Sequence, residues 1–374
     1  MSGKKRMANL ELLRCVAMLM VIVLHYLGKG GLLPELTGGG LDATGAAAWL
    51  LEAFCIVAVN VYMLISGYFL CASSFKLSRL LQLLVQVWLY SVVFGILGAV
   101  TGVVTEVTVD THYFLTLLFP ISMEHYWFLT AYVFLYLLLP FVGTAVKRMS
   151  KRQLQLALSL LLIAFCVLKS VLPLRLEKDA MGYDCLWYLC VFVTAAYIRR
   201  FGINFLEKRR RAGILYVVCC LLAYAGTMGL RLFYARTGSL GRMTGMCMEY
   251  NHILPFLAAV GLFGFFRKIE IKGKIADVIN KIAPYTLGVY LLHENLGLRY
   301  AWQSWLGADR ITNVGELLVW TLLAALSVFV CGILADMLRA GLMKGIHGLL
   351  CRGKAYRKLV ERIEKADSLF REAS

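Results

Sequence analysis

With 374 residues, of which 60% are hydrophobic and only 16% charged, the chain is too apolar to fold as a soluble domain. The formal net charge of +17 would suit nucleic acid in a soluble protein, but here the basic residues fall between apolar runs. That distribution is typical of membrane topology signals and of contact with anionic lipids, so we expect no nucleic-acid partner. The eleven cysteines are scattered, without the CxxC or CxxH spacing that would indicate zinc or a redox pair.

Apolar length and flanking breakers predict an all-α, polytopic integral membrane protein of about ten transmembrane helices. The predicted spans are 8–28, 47–70, 80–103, 126–146, 153–173, 184–199, 212–230, 252–267, 283–298 and 315–338. Lys4, Lys5 and Arg6 before the first span look like the start of a signal peptide, but no small-residue cleavage site follows. We therefore interpret the first span as one that is retained.

The charges of the connecting loops predict the orientation. If the N-terminus is cytoplasmic, the inner connections carry about three basic residues for each one on the outer side. An even number of spans then returns the C-terminus to the cytoplasm. We expect the protein in the cell membrane, in contact with its lipids, and the sequence leaves the oligomeric state open.

The spans predict one transmembrane domain, residues 1–338, followed by a basic cytoplasmic tail, residues 339–374. In the tail, Tyr356, Leu359 and Ile363 recur at helical spacing among basic residues. This pattern indicates a helix that lies along the membrane surface, and a solvated extension is the alternative.

The first span carries three ionisable residues, Glu11, Arg14 and His25. On an α-helix, Arg14 and His25 differ by about 20° in azimuth and about 16 Å in height. Glu11 precedes Arg14 by one turn on much the same face. Ionisable groups inside a span usually mark a cavity, a partner or a reaction centre. A purely structural ion pair of Glu11 with Arg14 is the alternative, but it leaves His25 unexplained.

Five of the six histidines fall in the predicted outer half: His25, His112, His125, His252 and His293. Histidine titrates near neutral pH, so it can move protons in a reaction. A single histidine of this kind is nevertheless more often a hydrogen-bonded interfacial residue, and we favour that interpretation for His112 and His125 taken alone.

Three other segments contribute candidate site residues. These are Ser66 at the inner end of the second span, Trp127 at the start of the fourth, and Tyr290, His293 and Glu294 near the outer end of the ninth. Each aromatic residue alone is more typical of an interfacial anchor. A carboxylate beside a histidine can orient or charge the imidazole, although adjacent helical residues point about 100° apart.

Several of these motifs resemble those of one membrane-enzyme family. Arg14 and His25, with ten residues between them, look like the Arg-x10-His signature of the membrane acyltransferase-3 family. Further likeness comes from LISGYFL (64–70), HYWFLTAYVFLYLLLP (125–140) and TLGVYLLH (Thr286–His293). The order of these pieces, together with the predicted number of spans, makes the resemblance specific, and it covers most of the chain.

The resemblance implies transfer of an acyl group, often acetyl, from cytoplasmic acyl-CoA to a hydroxyl of a cell-envelope glycan or lipid-linked sugar. It also implies that His25 is essential for catalysis and that Arg14 serves the donor. Because acyl-CoA is anionic, its phosphates suit the basic inner face, where an arginine offers a fork of donors. We assign donor binding to Arg14, Glu11, Ser66 and Arg79.

In this interpretation neutral His25 is the general base for the acceptor hydroxyl, and a transient acyl-histidine is the variant. The acceptor side is predicted to be lined by Trp127, Tyr290, His293 and Glu294.

Other classes of protein remain as alternatives. A transporter or flippase would use Arg14 and His25 as relays. Helix-breaking Gly/Pro pairs at matching positions in the two halves of the chain would favour such a protein, and the sequence lacks them. A non-catalytic membrane scaffold is a further alternative. A metal enzyme built on the outer histidines lacks an HxxH or HExxH spacing, so we expect no metal.

Overall fold

The computed structural model describes residues 7–172 and 180–372. The described residues form helices and turns and contain no strand, which confirms the predicted all-α class. The helices are α1 (Ala8–Lys29), α2 (Ala43–Cys55), α3 (Ala58–Leu70), α4 (Leu77–Thr101), α5 (Thr111–Leu118), α6 (Trp127–Arg148), α7 (Lys151–Leu162), α8 (Leu168–Val171), α9 (Cys185–Phe201), α10 (Arg209–Thr237), α11 (Ile253–Arg267), α12 (Gly273–Ile282), α13 (Thr286–His293), α14 (Trp302–Trp305), α15 (Val314–Leu350) and α16 (Lys354–Glu372). Lys4, Lys5 and Arg6, and the last residue of the predicted fifth span, lie outside the described residues.

Within the described ranges, eight segments are long and apolar enough to cross a membrane. They are Ala8–Lys29, Ala43–Leu70, Leu77–Thr101, Trp127–Arg148, Lys151–Val171, Arg209–Thr237, Gly241–Arg267 and Val314–Leu350. The chain is therefore a multi-pass membrane protein. The total of ten spans and the cytoplasmic position of both termini stay predictions.

The other two predicted spans take different forms. Span 184–199 is helix α9, whose 17 residues are mostly buried. Span 283–298 is interrupted, because a 3-10 turn at Ala283–Tyr285 precedes α13 and that helix ends at His293. Helix α15 continues without a break across residue 338, where the sequence predicted the transmembrane domain to end.

The chain divides into two compact units that interleave along the sequence. The first unit consists of Met1–Tyr68, Ser150–Pro284 and Gln303–Ser327. The second unit consists of Phe69–Met149, Tyr285–Trp302 and Val328–Ser374.

Side-chain caps fix the start of several helices. Asp42, Asp110 and Asp184 each stand one residue before a helix and accept a hydrogen bond from a backbone N–H three residues later, at 2.8, 2.9 and 2.8 Å. Ser150 and Gln153 form a reciprocal capping box at the start of α7. Such caps satisfy amide groups that the helix itself leaves without an acceptor.

In the first unit, small residues let α10 and α11 approach closely. A methyl group at Gly261 would lie 2.8 Å from the Ala212 carbonyl oxygen, so only glycine fits there without a shift of the backbone. The side-chain amide of Asn9 donates to the carbonyls of Phe266 (3.1 Å) and Arg267 (3.0 Å). These bonds attach the beginning of α1 to the end of α11.

In the second unit, the tail helix α16 packs against the beginning of α4. The buried carboxylate of Asp367 accepts hydrogen bonds from the Ser78 amide at 3.2 Å and from the Ser78 hydroxyl. Phe370 packs against Phe75 with a centroid distance of 4.8 Å. An acidic group at a helix N-terminus is favourable because the first amides point toward it. The tail is therefore a packed helix, and its contact with a membrane surface stays a prediction.

Candidate functional site

Helix α1 holds the ion pair that the sequence predicts. Arg14 Nη1 lies 2.6 Å from Glu11 Oε2, and the two side chains are 26% and 8% exposed. The Tyr62 hydroxyl donates to the Arg14 carbonyl at 2.9 Å and ties α3 to this turn of α1. The Glu11 carboxylate compensates the charge of the half-buried guanidinium, which would otherwise be unpaired inside an apolar helix.

His25 lies near the other end of α1 and is half-buried. The backbone around it is fixed by residues that the sequence did not single out. Tyr26 donates its hydroxyl hydrogen to the Leu306 carbonyl at 2.9 Å, and the Gln303 side-chain amide lies 3.4 Å from the His25 carbonyl. The imidazole is therefore carried on a well-anchored turn, which suits a group that must hold one orientation.

The remaining donor-side candidates belong to different units. Ser66 is half-buried in α3 of the first unit, which also contains Glu11 and Arg14 of α1. Arg79 is exposed at the beginning of α4 in the second unit. Their roles in donor binding stay predictions.

The acceptor-side candidates all belong to the second unit. Tyr290 is buried and its ring lies near those of Tyr126 (5.9 Å), Phe128 (6.0 Å) and His293 (6.1 Å). Trp127 is half-buried at the first position of α6 and packs edge-on against Phe128 at 6.1 Å. The arrangement is an aromatic cluster that includes the His293 imidazole.

The hydrogen bond of His293 fixes its tautomer. Its Nδ1 lies 2.6 Å from the Val289 carbonyl oxygen, which can only accept, so Nδ1 carries a proton. In the neutral ring the lone pair is then on Nε2. A nitrogen of His293 and a carboxylate oxygen of Glu294 lie within 4.8 Å of each other, although the two residues are adjacent in sequence.

Arg299 organises the backbone around this cluster, although no pattern in the sequence indicates this residue. Its guanidinium donates to the Glu294 carbonyl from Nε at 3.2 Å and Nη2 at 2.9 Å, and to the His125 carbonyl at 2.7 Å. It also lies 3.7 Å from the buried carboxylate of Glu294. One arginine therefore joins the end of α13 to the turn before α6.

His125 is buried, and both of its ring nitrogens are hydrogen-bonded. Its Nε2 accepts a hydrogen bond from the Leu296 amide at 3.0 Å, so Nδ1 carries the proton and donates to Ser91 Oγ at 2.8 Å. The Ser91 hydroxyl in turn donates to the Leu117 carbonyl at 2.9 Å. Burial, with Arg299 as a second cause, lowers the pKa of His125 from 6.5 to about 3. The ring is neutral at physiological pH.

Asp336 is a further buried centre, although its place near a helix end looks ordinary in the sequence. Its side chain is 1% exposed. Its carboxylate accepts hydrogen bonds from Gln86 (3.1 Å), Tyr90 (3.0 Å) and Arg339 (2.5 and 3.2 Å). A methyl group at Gly288 would lie 2.3 Å from the Asp336 Cβ, so α13 reaches α15 only through a glycine. The ion pair of Asp336 with Arg339, like that of Glu11 with Arg14, joins residues three apart on one helix.

The second unit also contains a polar cavity of about 440 Å³ beside the loop that joins α4 and α6. Its lining includes the acidic, basic and histidine residues Glu106, Asp110, His112, Glu124, His125 and Arg299. Carboxylates and an arginine at one surface can donate and accept hydrogen bonds with a ligand rich in hydroxyl groups.

Comparison with known proteins gives a family match. A family model described as an acyltransferase domain matches residues 7–336, nearly the whole chain. No curated protein and no solved structure matches the chain significantly.

Proposed function

Because the chain belongs to the acyltransferase-3 family of membrane acyltransferases, we propose that it is an O-acyltransferase of the cell membrane. It moves an acyl group from cytoplasmic acyl-CoA to a hydroxyl of an envelope glycan or lipid-linked sugar, and acetyl is the acyl group that we propose. The observation that supports this most is the polar stripe of α1, with the Glu11–Arg14 ion pair at one end and the half-buried His25 at the other. Three ionisable groups in one apolar helix are costly unless they serve a reaction or a ligand.

Arg14 serves the donor. Its guanidinium is permanently charged and one of its nitrogens is held by Glu11, so its orientation is fixed before the donor arrives. The other donors of the fork suit a phosphate or the thioester carbonyl oxygen. Ser66 and Arg79 add further contacts to acyl-CoA.

His25 acts as general base. The neutral imidazole takes the proton of the acceptor hydroxyl while that oxygen attacks the thioester carbonyl carbon. The tetrahedral intermediate collapses, the carbon–sulfur bond breaks, and the CoA thiolate takes the proton from the imidazolium. Base catalysis contributes roughly 10² to 10⁴-fold, so positioning of the two substrates supplies the rest.

Trp127, Tyr290, His293 and Glu294 bind the acceptor. An aromatic ring packs against the apolar face of a sugar, and a carboxylate and an imidazole accept from its hydroxyls. The tautomer of His293 is compatible with this role, because the Nδ1 proton is bound by the Val289 carbonyl and Nε2 is the accepting nitrogen of the neutral ring.

The test is an analysis of ester-linked acyl groups on envelope glycans. Cells that lack the protein receive the wild type, His25→Ala or His347→Ala at matched levels in the membrane. His347 is the control because it is an exposed histidine on α15 and lies outside the machinery proposed for glycan transfer. We expect the wild type and His347→Ala to restore the acyl increment and His25→Ala to abolish it. Full acylation with His25→Ala would refute this mechanism, and transport of a glycan without any acyl-CoA requirement would refute the class.

A further inference from the structure

Between α15 and α16, three side chains that the proposed transfer does not use are connected by hydrogen bonds. The Cys351 sulfur lies 3.5 Å from Nε2 of His347, and Nδ1 of the same ring lies 2.9 Å from the Tyr356 hydroxyl oxygen. All three belong to the second unit. His347 is exposed and the other two are half-exposed, so a reagent in water reaches the sulfur.

The order of the hydrogen bonds is that of an activated nucleophile. In the tautomer with the proton on Nδ1, the His347 ring donates to the Tyr356 oxygen and its Nε2 accepts from the Cys351 thiol. A nucleophile, a base within reach, and a third group that orients the base are the common features of covalent catalytic sites. Cys331 offers a comparison on the same helix, since it is exposed but no other histidine lies in α15.

The surroundings indicate the class of reagent. Five basic residues lie within seven sequence positions of Cys351: Lys344, Arg352, Lys354, Arg357 and Lys358. Positive charge attracts an anionic reagent.

The last turns of α15 present exposed apolar side chains beside this basic segment. They are Leu342, Ile346, Leu349 and Leu350. A molecule with phosphates, an apolar chain and an electrophile that reacts with thiolates fits both surfaces. Acyl-CoA has all three.

We propose that Cys351 is a self-acylation site that exchanges thioesters with acyl-CoA. His347 takes the thiol proton, the thiolate attacks the acyl carbon, and the carbon–sulfur bond to CoA breaks. The CoA thiolate leaves with the proton from His347, so one thioester replaces another and no further reactant is needed. This site rests on the proposed function only in that acyl-CoA reaches the side of the membrane where the basic segment lies.

The experiment uses the full-length protein in lipid nanodiscs with radiolabelled palmitoyl-CoA or acetyl-CoA, followed by peptide mass analysis. We expect a hydroxylamine-labile acyl group on Cys351 from at least one donor, and the two donors show whether a long or a short chain is preferred. Cys351→Ser removes it and the control Cys331→Ser does not. His347→Gln slows the labelling at least about tenfold, as expected when a general base is lost.

Two results would overturn the proposal. They are absence of the label with both donors, and equal labelling rates of Cys351 in the wild type and in His347→Gln. Acyl transfer to the glycan is measured in the same samples. Glycan transfer without label on Cys351 refutes this site alone, whereas label on Cys351 without glycan transfer refutes the proposed function alone.

Discussion

The buried His125 makes the stability of the second unit depend on pH, and His125→Gln tests this. The folded protein lowers the pKa of His125 from 6.5 to about 3, since the ring is buried and Arg299 lies near it. The folded state therefore binds the proton more weakly than the unfolded state does. The stability that the neutral ring contributes is fully present above pH 6.5 and is lost as the pH falls toward 3.

The expected magnitude follows from the two pKa values. A pKa shift of this size lowers the free energy of unfolding by about 2 kcal/mol at pH 5 and by about 5 kcal/mol below pH 3, on the basis of about 1.4 kcal/mol per pKa unit. Because the side chain is 3% exposed, solvent screening does not reduce this figure much. A glutamine oxygen at the Nε2 position keeps the bond from the Leu296 amide but does not titrate in this range.

The assay is thermal or denaturant unfolding of the purified protein in detergent between pH 7 and pH 4.5. We expect the wild type and the exposed control His112→Gln to lose stability with the same steep pH dependence. His125→Gln is less stable than the wild type at pH 7, but its stability falls less steeply with falling pH. The stabilities of the two proteins therefore approach each other at low pH. Equal pH dependence in the wild type and His125→Gln would refute the assignment of a neutral buried ring.

Two substitutions test the other buried contacts. Glu11→Gln leaves the Arg14 charge uncompensated in a half-buried position, so we expect a loss of about 1–3 kcal/mol in unfolding free energy, and an additional Arg14→Met change should recover part of it. Gly288→Ala places a methyl group against Asp336, so we expect a loss of about 1–3 kcal/mol and a lower melting temperature. The control Gly345→Ala meets no atom within 4 Å and should leave the melting temperature unchanged or slightly higher. Wild-type stability of Glu11→Gln or Gly288→Ala would contradict the respective contact.

The parts of the molecule that sequence predicts are those set by local periodicity. The Glu11–Arg14 pair follows from a spacing of three residues on one helix, and apolar length locates the eight spanning segments. The family resemblance rests on the spacing of Arg14 and His25 together with three further motifs, and the family match confirms it.

The parts that sequence misses depend on contacts between distant segments. Arg299 reaches the His125 carbonyl across 174 positions, and no local pattern indicates such a bond. Asp336 looks like an ordinary helix-end carboxylate because its donors Gln86 and Tyr90 come from α4. The glycine in TLGVYLLH, at position 288, was the available signal for a close approach of two backbones.

The central claim is that α1 carries the chemistry of acyl transfer, with His25 as base and Arg14 at the donor. The most direct test is to measure release of CoA and formation of a sugar ester by the purified protein in nanodiscs, with acetyl-CoA and an envelope glycan fraction. We predict that the wild type forms both products in equal amounts, that His25→Ala forms neither, and that Arg14→Lys raises the donor concentration required. Ester formation by His25→Ala at the wild-type rate would contradict the account.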